Sequence, residues 1–193
     1  MLMTEAEARD IARDHLSDKR FYHSQCVARC AGELALRLGA DVDKAVIAGW
    51  LHDVMKEQED AVLLKTLEGS DIMRDDYFAH YKPIWHAFAG AVFVQNSLKL
   101  SGDIADAIYY HTCGRPDMSP LEKSVFLADY ISDDREFPGA AQVRRTAAED
   151  IDLAVFQALQ NSVRHLMERG KIVMPLSLDA YNYYAALVSK NKD

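Results

Sequence analysis

Six polar residues in this sequence occupy positions where apolar side chains belong: His23, His52, Asp53, His86, His111 and Asp129. In a helix, residues i, i+3, i+4 and i+7 share one face. His23 tops a stripe of Cys26, Val27, Cys30, Ala31 and Leu34. Val46, Gly49 and Trp50 lead to Asp53, and Ala45 and Gly49 lead to His52, so this adjacent pair flanks one buried edge. His86 lines up with Ala89, Gly90, Phe93 and Val94, and Ile104, Ala107 and Ile108 precede His111. Leu121, Val125 and Ala128 share a face with Asp129.

An unpaired buried carboxylate costs several kcal/mol, and is normally paired or given a metal. No lysine or arginine stands at a matching stripe position to neutralise both aspartates. A single histidine at a stripe end is more often a hydrogen-bonded core residue than a ligand, so the set carries the inference. The other histidines serve as a control. His165 lies among polar neighbours, His80 in a loop, and His15 has no acidic companion in its segment; all three read as structural or surface residues. Imidazole and carboxylate without thiolate suit Fe, Mn, Co, Ni or Zn. Six ligands are too many for one catalytic ion, which needs open positions. They suit two ions sharing a carboxylate, and Asp53, near the middle of the set, is the natural bridge. Two such ions about 3.5–4 Å apart can generate a bridging hydroxide and clamp a phosphoryl group for in-line attack.

The elements that must position these residues are helices. Helical segments are expected at 4–17, 20–38, 42–57, 59–68, 83–99, 102–112, 119–132, 149–169 and 177–190. Gly39 is a C-cap and Asp41 an N-cap. Pro83 and Pro120 fit first helical turns. Sustained period-two alternation is missing, so the fold class is all-α: a single domain over 1–193, with a core of about 20–145 and C-terminal helices over 149–190. The stretch 133–148 is expected as a surface loop.

Length and charge narrow the function. The chain has 193 residues, enough for one sizeable core, and a net charge of −8. An acidic chain without a Lys/Arg block is a poor nucleic-acid binder, so a phosphorylated small molecule needs locally concentrated positive charge, which metal ions supply. No apolar run approaches the roughly 18 residues of a membrane span. Met1–Ser17 carries acidic residues and no apolar h-region, against a signal peptide. The three cysteines, Cys26, Cys30 and Cys113, form no C-x-x-C pair, which points to reduced thiols and a cytoplasmic location.

The pattern His23 … His52-Asp53 … Asp129 resembles the signature of the HD-domain phosphohydrolase superfamily, and His86 and His111 resemble its two-metal branches. Four stretches are similar to the bacterial HD-domain symmetrical diadenosine tetraphosphate hydrolases: F-Y-H-S-x-x-V at 21–27, L-H-D-x-x-K at 51–56, W-H-A-F-A-G-A at 85–91, and H-T-C-G-R-P-x-M-S-x-L-E-K-x-x-x-L-A-D-Y-I-x-x-x-R-x-F-P-G at 111–139. The resemblance implies an HD-domain helical bundle that hydrolyses diadenosine tetraphosphate to two ADP, with two transition-metal ions, iron foremost, on the six matching positions. It implies that Lys56 and Arg135 approach the phosphates, that Thr112 and Gly114 shape the pocket near His111, and that Phe137, Pro138 and Gly139 close over the nucleotide. Met55, Cys113 and Asp134 depart from the family's small residue, threonine and asparagine. Tyr181, Tyr183 and Tyr184 read as core or dimer contacts.

The expected activity is therefore symmetrical cleavage by attack of a metal-bridging hydroxide, with Asp53, Lys56 and Arg135 as the catalytic group. The expected partners are a dinucleoside polyphosphate or nucleoside diphosphate and a second copy in a homodimer, with neither nucleic acid nor membrane. Rival readings are another HD-type phosphohydrolase (nucleotidase, phosphodiesterase or dNTP hydrolase), a di-iron oxygenase, and a nucleotide-binding module without turnover.

Overall fold

The computed structural model describes residues 3–190. Met1 and Leu2, part of the segment read against a signal peptide, lie outside the described residues. The elements are α1 (Glu5–His15), α2 (Asp18–Leu38), α3 (Val42–Leu51), α4 (Asp60–Leu67), α5 (Trp85–Asn96), α6 (Gly102–Tyr110), α7 (Pro120–Ile131), α8 (Pro138–Glu149), α9 (Ile151–Glu168) and α10 (Pro175–Lys190). Two 3₁₀ segments, Asp71–Arg74 and Phe78–Ile84, fill the connection from α4 to α5. No strand occurs among the described residues, and none of their helices is long and apolar enough to cross a membrane.

The bundle centres on α2, which packs on α3 and α7, while α6 packs on α5 and α7. Its core is aliphatic and small-residue rich; Ile47, Leu51, Phe88, Ile104, Ile108 and Leu127 are fully buried. Each such side chain stabilises the fold by about 1.5–3 kcal/mol. The α2–α3 crossing is close enough to require glycine. A Cβ at Gly49 would stand 2.5 Å from Ala28 Cα, closer than any side chain tolerates. That contact holds the His23 helix against the end of the helix that precedes His52 and Asp53.

The capping signals match the structure. Gly39 adopts φ 68° after α2, and the Asp41 carboxylate accepts from Lys44 N–H at 3.1 Å. Ser119 and Glu122 form a capping box ahead of Pro120.

Four of the differences from the expected boundaries bear on the site. The 133–148 loop is in large part helix α8. Pro138 occupies its first turn, and Ala140, Val143 and Ala147 form a buried stripe on α9. Alanine gives a weak periodic signal, and the polar residues before it masked the start. Helix α3 stops at Leu51 rather than at 57. His52–Glu57 continues as tight turns closed by Val54 N–H to Leu51 O at 3.0 Å and Lys56 N–H to Asp53 O at 2.8 Å. Helix α6 ends at Tyr110, one residue before His111. Pro83 lies in the 3₁₀ segment, and α5 begins two residues later.

Candidate metal centre

The early helix ends matter because the last carbonyls of a helix have no intrahelical partner. His52 follows α3, and its Nδ1 lies 2.8 Å from Gly49 O. His111 follows α6, and its Nδ1 lies 2.7 Å from Ile108 O. A carbonyl only accepts, so Nδ1 carries the proton in both rings. Each Nε2 lone pair is thereby turned into the pocket, as a metal ligand requires. His23 comes from the second turn of α2, His86 from the first turn of α5, and Asp129 from α7.

These six residues converge. His23 Nε2 is 2.9 Å from Asp129 Oδ1, which is 3.8 Å from His52 Nε2. Asp53 lies between the two ends of the pocket. Its Oδ2 is 3.6 Å from His52 Nε2, and its Oδ1 is 3.1 Å from His86 Nε2 and 3.8 Å from His111 Nε2. Two trios, His23/His52/Asp129 and His52/Asp53/His111, bring one donor atom each within 4.8 Å of one another. His52 Nε2 is fully buried without a hydrogen-bond partner among the described residues. An orphaned acceptor inside a ring of imidazoles and carboxylates fits a metal ion, because such a group otherwise keeps its full desolvation cost.

Electrostatics agree. Burial pushes the His86 and His111 imidazoles down to about 4, and lowers that of His52. They are neutral at ordinary pH, as metal ligands must be. Burial opposes ionisation of Asp53, but the imidazoles of His52, His86 and His111 outweigh it and hold its carboxyl well below the usual range. Asp129 is likewise held low against burial, by His23 and Arg135.

The expectation that no basic side chain neutralises the aspartates is corrected. Arg20 Nη1 contacts Asp53 Oδ2 at 3.1 Å, and the Arg135 guanidinium contacts Asp129 Oδ1 while its Nε donates to Asp129 O at 2.7 Å. Arg20 was missed although it stands three residues before His23, on the same helix face. Lys56 Nζ lies 3.2 Å from the His86 ring, and burial lowers its pKa. Two arginines thus pair with the two carboxylates, and a lysine stands beside His86.

The remaining site residues divide. Thr112 Oγ1 is buried beside His111 with no hydrogen-bond partner among the described residues. Gly114 adopts φ 64°, and a Cβ there would meet Leu159 at 3.1 Å and Ala180 at 3.5 Å, so that side of the residue packs on α9 and α10. Phe137 is the N-cap residue of α8, 40% exposed, with its ring edge-on to Tyr130. Pro138 and Gly139 form the first turn behind it, and a Cβ at Gly139 would stand 3.0 Å from the Tyr130 hydroxyl. Met55 and Cys113 are buried, and burial pushes the Cys113 thiol up to about 12. Asp134, read only as a departure, proves to contact His23 Nδ1 at 2.7 Å. Among the control histidines, His80 and His165 are exposed, and His15 Nδ1 caps its own helix through Ile11 O. Tyr184 is core, its hydroxyl accepting from Met118 N–H, while Tyr183 is partly exposed and donates to Asp117.

Comparison with known proteins agrees with this geometry. The HD domain family model matches residues 20–134. A Bacillus subtilis protein named symmetrical bis(5'-nucleosyl)-tetraphosphatase is 37% identical over 94% of this chain and 97% of its own length. A protein of the same name from Halalkalibacterium halodurans is 35% identical over 93% and 96%. A solved structure from Clostridium acetobutylicum, described as a "predicted HD superfamily hydrolase involved in NAD metabolism", superposes with TM-score 0.89 at 30% identity, covering 96% of this chain and 99% of that one. This chain belongs to the HD-domain hydrolases, in the family whose curated bacterial relatives are named symmetrical bis(5'-nucleosyl)-tetraphosphatases.

Proposed function

We propose that this chain cleaves diadenosine tetraphosphate, or a close dinucleoside tetraphosphate, symmetrically into two nucleoside diphosphates, using two transition-metal ions, iron foremost. His23, His52, Asp129, His86 and His111 would be the terminal ligands, and Asp53 would be shared. The observation that supports the reading is Asp53 standing within 4 Å of three imidazoles, its Oδ2 beside His52 and its Oδ1 beside His86 and His111. When bound, two such ions supply Lewis-acid charge and a water of lowered pKa.

The chain's own residues then do the rest. Gly49 and Ile108 carbonyls fix the tautomers of His52 and His111. Arg20 and Arg135, which pair with the two carboxylates, and Lys56, beside His86, would supply positive charge to the polyphosphate oxygens. Arginine offers a bidentate fork and lysine a point charge for the charge that grows on the phosphoryl group. Water adds to an inner phosphorus, the central P–O–P bond breaks, and the two halves leave as ADP. Thr112 borders the pocket beside His111, and Phe137 with Pro138 and Gly139 forms a cover at the α8 entrance. Catalysis as a homodimer belongs to the same proposal, as does one HD-type unit over the whole chain.

Metal-loaded protein incubated with diadenosine tetraphosphate, with products resolved by chromatography, tests this. ADP as sole product is the expected result. AMP plus ATP contradicts the symmetrical pose, and cleavage of a dNTP or cyclic nucleotide instead moves the substrate elsewhere in the superfamily.

A further inference from the structure

The six residues of the centre are not equivalently supported from behind. His52 and His111 donate Nδ1–H to neutral backbone carbonyls. His86 faces the Lys56 ammonium. Among the described residues, only His23 is backed by a full negative charge: its Nδ1 donates to Asp134 Oδ2 at 2.7 Å. Asp134 is itself held. Its Oδ1 accepts from Ser132 Oγ at 2.7 Å, and Ser132 is 1% exposed. The Ser132 carbonyl in turn accepts from Arg135 N–H at 2.9 Å and from Arg144 Nη2 at 2.8 Å. The carboxylate therefore has a fixed orientation toward the imidazole.

Charge is distributed in the same sense. The His23 end of the pocket has Asp129 in direct contact, Asp134 behind His23, and one oxygen of Asp53. Two arginines offset part of that charge, Arg20 on Asp53 Oδ2 and Arg135 on Asp129 Oδ1, leaving three carboxylates to two cations. The His86/His111 end has the other oxygen of Asp53 alone among the described carboxylates, with the Lys56 cation beside it. A hydrogen bond to a carboxylate makes an imidazole a stronger donor and fixes its ring, and removal of such a partner typically costs 10–100-fold in metal affinity.

We infer that Asp134 is a positioning residue that acts through His23 and makes the His23 end the tighter of two unequal metal positions. This rests on the two-metal reading. The chain fills its sites in order: the His23/His52/Asp129 end first, the His86/His111 end second.

The test is titration of metal-free wild type, Asp134→Asn and Asp134→Ala with Mn(II), following free ion by electron paramagnetic resonance, with thermal melts of each metal-free protein. Wild type is expected to bind in two resolved steps. Asp134→Ala should weaken the tighter step about 10–100-fold and leave the weaker within about twofold. Asp134→Asn keeps an acceptor oxygen without the charge, so it should weaken the same step by less and melt like wild type. Equal weakening of both steps, or of neither, overturns the inference while the two-metal reading stands. A wild type that takes up fewer than two ions overturns that reading, and this inference with it.

Discussion

Two regions of this molecule bury carboxylates, and they do so in opposite ways. Glu122 on α7 is 1% exposed and entirely provided for by its own chain. Arg115 grips it with two hydrogen bonds at 2.7 and 2.9 Å, and Ser119 N–H adds a third at 2.6 Å. Asp53 is as buried, but its oxygens face imidazoles that burial keeps neutral, one arginine, and a histidine nitrogen with no partner among the described residues. A structural buried charge arrives with its counter-charge and donors already in place. Asp53 is left short of donors, and the imidazoles and carboxylates around it could hold a metal ion.

That contrast breaks most sharply under substitution. Asp53→Ala should abolish metal uptake at one or both positions and reduce turnover below detection, while leaving the metal-free fold intact. Metal analysis beside a circular-dichroism melt checks it; an active variant with full metal content contradicts the shared-carboxylate assignment. Glu122→Ala should do the reverse. Losing the Arg115 and Ser119 hydrogen bonds should cost about 1–3 kcal/mol of stability, read from urea unfolding, with metal per folded chain unchanged.

Acid sharpens the comparison further. In metal-free protein, His86 and His111 are held at about 4 against 6.5 for the free side chain, because burial disfavours the imidazolium. The unfolded chain then binds more protons between these values. The stability these rings contribute is present above about pH 6.5 and is lost as pH falls toward 4, by roughly 1–3 kcal/mol per ring. His23, whose pKa is raised by Asp129 and Asp134 against burial, works in the opposite sense. A pH series of denaturant melts in chelator should show the net loss, and metal should abolish most of it. The smallest effect is expected at Ser119, where Ser119→Ala removes one oxygen of the capping box at a cost of about 1 kcal/mol, with no effect on metal content.

Much of this was legible in the sequence because the six candidate ligands interrupt apolar stripes, and an interruption is visible to helical periodicity. What could not be read is of two kinds. Asp134 meets His23 across 111 residues of sequence, and periodicity within one helix says nothing about partners so remote. Arg20 was within reach, three residues from His23, but a charged residue near a helix start reads as solvated until the pocket above it is known. Helix α8 was hidden by its composition, since Ala140 and Ala147 bury little area and stand out weakly from their polar neighbours. The turns after α3 and α6 escaped because His52 and His111 keep the stripe going past the last helical hydrogen bond. Those two helix ends, invisible to pattern, supply the carbonyls that aim the rings.

The most direct test of the centre is a crystal structure of iron- or manganese-loaded protein with anomalous diffraction measured at the metal edge. Two peaks flanking Asp53, one bounded by His23, His52 and Asp129 and the other by His86 and His111, are expected. A single peak, or two peaks that do not share Asp53, would contradict it.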